Sequence, residues 1–96
     1  MTMETLNIGN QTCEGADVLL PGNVHLLVIR GGRGLLGCGY LSMGAAEKFG
    51  HALAIVRGVA SYEDMLAAEV QEVSAVAAAL GVRPGMTGRE ALGLMA

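Results

Sequence analysis

The chain has 96 residues and a formal net charge of −3; 52% of the residues are hydrophobic and only 16% are charged. This length predicts one domain over residues 1–96, and the six scattered basic residues exclude a basic stripe for nucleic acid. So few charges leave apolar surface for a second copy to cover, which predicts a homo-oligomer.

The sequence carries no signal for a membrane. No positively charged start followed by an apolar run indicates a signal peptide, and no uncharged stretch approaches the roughly 18 residues of a membrane span. We therefore predict a cytoplasmic protein, in which Cys13 and Cys38 are reduced thiols. Two cysteines without further ligands at suitable spacing predict no metal site, and no motif indicates a cofactor.

The first part of the chain has the pattern of four strands separated by turns. We predict the strands at residues 4–8, 11–20, 24–30 and 35–41. Glycine, asparagine and proline occupy the connections at residues 9–10, 21–23 and 31–34, where tight turns need them.

The remainder is mainly helical, with one further strand at residues 51–56. Ser42 predicts the N-cap of a helix over 43–49, which Gly50 ends. Ser61 begins a helical region that reaches residue 80, either as one helix or as two that break near residues 67–68. Thr87 and Glu90 form a capping box that opens a last helix, to residue 94.

This order of elements predicts an α+β fold, because strands mostly precede helices. We expect a single mixed, mainly antiparallel sheet of about five strands, with the helices packed on one face. The short crossover from the strand at 35–41 to the strand at 51–56 predicts that those two strands pair in parallel.

A two-residue turn at Gly32-Arg33 would determine the register of the hairpin around it. In that register His25 lies opposite Tyr40, and Leu27 lies opposite Cys38. Cys38 is then diagonal to His25 on one face, at about 7–8 Å, within reach of long side chains.

Two chemistries fit this hairpin. In the first, Cys38 is a nucleophile, His25 its general base and Tyr40 an orienting group or acid, as in a thiol-dependent enzyme. Alternatively, Cys38 is a small buried hydrophobe without chemistry, which is common for a free cysteine.

The second chemistry is the binding of a small anion or carboxylate. Gly37 and Gly39 leave the backbone open to close approach, and Ser42 begins a helix, whose N–H groups attract negative charge. Arg57, at the end of a strand, either joins this site or forms a salt bridge. The string GRGLLG, residues 32–37, matches a dinucleotide-binding pattern, but a strand and not a helix follows it, so we interpret it as a turn.

The segments GLLGCGYLSMG, RGVASYEDML and LGVRPGMTGREALGLM together resemble the YunC-like family, a domain of unknown function. The resemblance covers the last two-thirds of the chain and implies a small α+β domain with a mixed sheet, but no activity or substrate. Ser42 stands where the family commonly has aspartate, and Ile55 where it has arginine. We expect any family function of those two residues to be lost or altered in this chain.

These observations favour a homo-oligomeric accessory or small-ligand-binding protein. A thiol-dependent enzyme using Cys38 and His25 is one alternative, and a structural subunit of a hetero-complex is the other.

Overall fold

A computed structural model describes residues 2–96 and has six strands and four helices in that range. The elements in chain order are β1 Thr2–Ile8, β2 Gln11–Leu20, β3 Val24–Arg30, β4 Leu35–Gly37, α1 Met43–Phe49, β5 Leu53–Ile55, α2 Tyr62–Ala67, β6 Glu72–Val73, α3 Ala75–Ala79 and α4 Gly88–Met95. The strands lie side by side in sequence order, and all pairs are antiparallel except β4 with β5. The α+β class and the mixed, mainly antiparallel sheet are therefore confirmed.

The predicted turns form where the backbone needs a left-handed conformation. Gly9 has a φ of 62° between β1 and β2, and Gly22 and Asn23 have φ values of 84° and 60° between β2 and β3. Glycine adopts this region without steric cost, and asparagine is among the residues that tolerate it best.

The predicted hairpin register is also confirmed. Ile29 pairs with Leu36 and Val28 pairs with Gly37, as the turn at Gly32-Arg33 requires. The strand itself is shorter than predicted, because β4 ends at Gly37 and not at residue 41. The amide of Leu41 donates to the carbonyl of Cys38 at 3.1 Å, which closes a turn and ends the strand pairing.

The two sides of the sheet carry different helices. One side, which we call the helix-pair face, packs against α2 and α4 and contains the fully buried Leu27, Leu36 and Met65. On the opposite side, the α1 face, Leu53 and Ile55 pack with Ala46 of α1. We expected the helices on one face only; the structure places α1 on the other, because alternate residues of β5 are apolar on both sides.

The sixth strand lies inside the region that we predicted as helix. The expected break after α2 is present: Ala68 is extended, with φ −73° and ψ 153°. The chain then pairs with β5, because the amide of Gln71 donates to Ile55 at 2.8 Å and that of Ser74 donates to Leu53 at 2.9 Å. Helical periodicity missed this strand because two paired residues are too few to show a period of two.

Each of the four short helices is capped by the side chain of the residue that precedes it. Ser42, Ser61, Ser74 and Thr87 each accept a hydrogen bond from a backbone amide of the following helix, and Thr87 forms the complete predicted capping box with Glu90. Such a cap contributes about 1 kcal/mol, which matters for helices of five to eight residues. No helix within residues 2–96 is long and apolar enough to cross a membrane.

Candidate functional site

A cavity of about 330 Å³ opens at the edge of the sheet where β4 ends. It is lined by Val24, His25, Cys38, Gly39, Tyr40, Arg57, Gly58 and Val59. Five of the seven residues that the sequence nominated for a site therefore line one cavity, namely His25, Cys38, Gly39, Tyr40 and Arg57.

The parallel pairing of β4 and β5 explains why these residues meet. Because the two strands run in the same direction, the segments that follow them leave the sheet at the same edge. The segment after β4 supplies residues 38–40, and the segment after β5 supplies residues 57–59. Their junction is tied by the Val56 amide, which donates to the Gly37 carbonyl at 2.9 Å. Loops at the carboxyl ends of parallel strands are a common location for ligand sites.

The imidazole of His25 is held by an acidic residue on the neighbouring strand. Its Nδ1 lies 2.8 Å from Oδ1 of Asp17, and both side chains are half-buried. An ionised carboxylate can only accept, so Nδ1 carries the hydrogen and donates it. In the neutral imidazole, Nε2 then keeps its lone pair and can accept a proton or a ligand hydrogen bond.

Cys38 is nearly buried, at 4% exposure, although it lines the cavity. Its amide donates to the Leu27 carbonyl at 3.1 Å, and its Sγ lies 3.4 Å from the Leu27 amide, which donates to it. These two bonds place the sulfur next to the backbone of β3. On the same face of β3, two residues before Leu27, lies His25.

Arg57 combines two contacts. One guanidinium nitrogen, Nη2, pairs with the Glu72 carboxylate, and both side chains are about half-exposed. The other, Nη1, lies beside Gly39, where a Cβ would approach it to 3.4 Å. The planar guanidinium group of Arg57 therefore pairs with Glu72 through Nη2, while the N–H groups of Nη1 remain beside the cavity as donors.

Tyr40 lies at the cavity but not where the hairpin register predicts it. Because β4 ends at Gly37, Tyr40 belongs to the turn after Cys38 and is not paired with His25. Its side chain is 59% exposed and contributes to the rim.

Gly37 and Ser42 do not line this cavity. A Cβ on Gly37 would point at Leu41 and Leu53, on the α1 face. The hydroxyl of Ser42 accepts from the Ala45 amide at 3.1 Å as the helix cap and borders a separate apolar depression of about 200 Å³ on that same face. His51 borders this depression as well, and it is not among the residues around Cys38.

Asp17 is the site residue that the sequence analysis missed. A signal for it was present, because the turn at residues 21–23 sets the register of β2 and β3. In that register Asp17 pairs with Leu27 and Leu19 pairs with His25, so Asp17 is diagonal to His25 on one face.

The two cysteines differ in their surroundings. Cys13 is buried within the helix-pair face, and burial raises the pKa of its thiol. Both are free thiols. Across residues 2–96 no group of three or more His, Cys, Asp and Glu side chains is arranged to hold a metal ion.

Comparison with known proteins identifies the family. Residues 37–95 match the family model described as domain of unknown function DUF1805, so the chain belongs to this family. The fold is similar to that of the crystal structure of a protein of unknown function, TA1206, from Thermoplasma acidophilum. That structure has a TM-score of 0.93 and 34% sequence identity, and the match covers 99% of this chain and 92% of the other. No curated protein matches the chain.

Proposed function

We propose that this cavity binds a small molecule that carries an anionic group, a carboxylate or a phosphate. The supporting observation is that Arg57 and His25 line the same cavity, which opens to solvent at the carboxyl ends of two parallel strands. Nη1 of Arg57, which is not the nitrogen paired with Glu72, can donate to either anion, and Nε2 of His25 can accept from a hydroxyl of the ligand, as on a singly protonated phosphate.

The rim of the cavity favours a ligand that also has an apolar part. Val24 and Tyr40 line the cavity and are exposed, and Leu19, which pairs with His25, is 61% exposed. A volume of about 330 Å³ is at the small end of ligand pockets. The ligand class is therefore a compact organic acid or phosphate with a short aliphatic or aromatic group.

Thermal unfolding with a panel of anions tests this proposal. Inorganic phosphate, acetate, hexanoate and benzoate are each added to the wild type, and Kd values follow from titration calorimetry. A ligand present at 100 times its Kd stabilises the folded state by about 2.7 kcal/mol, which raises the Tm. Arg57→Gln should weaken the binding at least tenfold, because it removes the charge of the guanidinium group.

Arg89→Gln is the matched control. It makes the same change of charge on the exposed surface of α4, away from the cavity. The proposal predicts wild-type binding for this variant. It is contradicted if no anion stabilises the wild type, or if both variants lose binding equally.

A thiol-dependent enzyme is the second candidate, and the Asp17–His25 hydrogen bond favours it. With Nδ1 donating to Asp17, the Nε2 atom of His25 can take the proton of the Cys38 thiol, and the resulting thiolate can add to a carbonyl carbon of the ligand. The π electrons of the carbonyl then move to its oxygen, which takes the proton back from the imidazolium. The hydroxyl of Tyr40 at the rim would orient the ligand or donate a proton.

Alkylation with iodoacetamide separates this candidate from simple binding. Peptide mass mapping follows Cys38, and the buried Cys13 serves as a control in the same molecule. The enzyme candidate predicts that Cys38 reacts at neutral pH in the folded protein and that His25→Gln slows this reaction about tenfold or more. Labelling of Cys38 only after denaturation would eliminate the candidate.

We further propose that the protein is a cytoplasmic homo-oligomer. The low share of charged residues supports self-association, and so do the apolar, partly exposed Ala16, Val18 and Val28, which project from β2 and β3 on the side that lacks α2 and α4. The free thiols suit a reducing compartment. Light scattering after gel filtration should give a mass of at least two chains, whereas a single chain of 9.8 kDa would contradict the oligomer.

A further inference from the structure

Tyr62, the first residue of α2, packs its ring on the sheet at a glycine. A Cβ on Gly15 would lie 2.6 Å from Cε1 and from Cζ of the ring, and 3.1 Å from the hydroxyl oxygen. Only glycine at this position lets the ring approach the strand so closely. The position of the tyrosine hydroxyl is therefore determined by contact with β2.

The hydroxyl is buried and its hydrogen-bonding capacity is unused. Among the residues that the structure describes, Tyr62 Oη is the buried side-chain oxygen without a hydrogen-bond partner. An unpaired buried hydroxyl costs about 1–3 kcal/mol, so such a group either pairs by a small movement or destabilises the fold.

Two carboxylates flank this hydroxyl. Glu4 pairs with Gly15 across β1 and β2, and Asp17 lies two residues along β2 on the same side. Burial, followed by the charges of Asp17 and Glu4, raises the pKa of Tyr62, which agrees with this placement. The hydroxyl therefore remains a neutral hydrogen-bond donor with acceptors on either side.

Asp17 is the better acceptor of the two. Glu4 is exposed and is hydrated by solvent, whereas the Asp17 side chain is only 25% exposed. One oxygen of Asp17, Oδ1, already accepts from His25, and the other oxygen is available for a second donor.

We propose that Tyr62 is a positioning residue for the cavity: its hydroxyl, unpaired in the structure, donates to Oδ2 of Asp17 after a small rotation of that carboxylate and so orients the group that holds Nδ1 of His25. A chain Tyr62–Asp17–His25 then connects the N-terminus of α2 to the candidate site. This inference rests on the proposed function in one respect: it takes the cavity that His25 lines to be a binding site.

The test is Tyr62→Phe, which keeps the ring and removes the hydroxyl. The ¹⁵N shifts of the His25 ring are recorded in the ligand-free protein, at a pH where the imidazole is neutral. We expect wild type to show one tautomer, with Nδ1 protonated, and the variant to show Nδ1 and Nε2 shifts that move towards each other as the tautomers mix. We also expect a lower Tm, because a buried hydrogen bond is lost.

Thr12→Val is the control, since it removes a hydroxyl that is exposed on β2 and does not line the cavity. It should leave the His25 tautomer unchanged. Unchanged ring shifts in Tyr62→Phe would overturn the proposal whatever the Tm does, because a purely structural hydroxyl does not act on His25. A Tm above that of wild type would also overturn it, because removing an unpaired buried hydroxyl stabilises the fold.

This result is separate from the binding experiment. The ring shifts are measured without a ligand, so a positive result stands even if no anion binds to Arg57. Conversely, anion binding with an unperturbed tautomer in Tyr62→Phe would retain the proposed function and reject the role of Tyr62.

Discussion

The two faces of β4 differ in what their side chains do. On the helix-pair face, Leu36 packs under α4, and Cys38, just beyond the strand, lines the cavity. On the α1 face, Leu35 and Gly37 meet the apolar side chains of Leu41 and Leu53. The side of the chain that carries Leu36 leads on to the cavity at Cys38, whereas the side that carries Leu35 and Gly37 forms a packing surface.

This difference shows that residues of the same turn need not belong to the same site. Gly37, Gly39 and Ser42 are neighbours in the chain, yet only Gly39 lines the cavity. Which residues meet depends on the side of the sheet that each one faces. It also depends on the segment that follows the parallel neighbour β5, which brings Arg57 to the cavity.

The largest expected effect comes from the tight contact that closes the helix-pair face. A Cβ on Gly88 of α4 would overlap the carbonyl oxygen of Met65 in α2, and backbone cannot move aside as a side chain can. Gly88→Ala should lower the free energy of unfolding by at least about 3 kcal/mol.

Gly93→Ala, in the same helix, is its control. A Cβ there meets no atom within 4 Å, so the change should raise the stability by about 0.5–1 kcal/mol. Urea unfolding of both variants measures the contrast. Equal effects would show that α2 and α4 do not pack as closely as described.

Leucines on the two faces should differ in their contribution to stability. Leu36 is fully buried, so Leu36→Ala should cost about 2–5 kcal/mol. Leu35 is only partly buried on the α1 face, and Leu35→Ala should cost less than half as much. Similar losses in chemical denaturation would indicate that the two faces are equally well packed.

Gly37→Ala tests how adaptable the α1 face is. The added methyl group would meet the end of the Leu41 side chain, which is partly exposed and can rotate away. We expect a loss of about 1 kcal/mol or less, well below that of Gly88→Ala. A loss as large as that of Gly88→Ala would mean that Leu41 is fixed as firmly as backbone.

The smallest effect concerns alkaline pH. Burial raises the pKa of the Cys13 thiol above its ordinary value of 9.0, so the unfolded chain releases this proton at a lower pH than the folded protein does. The stabilisation is complete below about pH 9 and declines as the pH rises further. Cys13→Ala should therefore show a shallower loss of Tm between pH 8.5 and 10.5, and an unchanged slope would contradict the assignment.

Much of the fold could be predicted because local signals agreed with it. Turn residues at 9–10, 21–23 and 31–34 delimit β1 to β4, and the Gly32-Arg33 turn led to the correct register. The serine and threonine caps mark the helix starts for the same local reason. Strand β6 was missed because pairing with β5, a tertiary interaction, decides the conformation of Glu72–Val73.

The cavity was only partly predictable. Cys38 and His25 follow from the register of β3 with β4, and the contact between Asp17 and His25 follows from the register of β2 with β3. The pairing of Arg57 with this group depends on the parallel neighbour β5, and the burial of Tyr62 depends on how α2 docks on Gly15. Neither packing arrangement leaves a pattern in the sequence.

Mapping of anion binding by ¹H–¹⁵N NMR tests the central claim most directly. The spectrum of the ¹⁵N-labelled protein is titrated with the anion that stabilises it most, inorganic phosphate being the default probe. We expect the largest shift changes at Gly39, Tyr40, Arg57 and Gly58, around the cavity. Changes centred on Ser42 and the start of α1, or no changes at all, would contradict the assignment of the site to the helix-pair face.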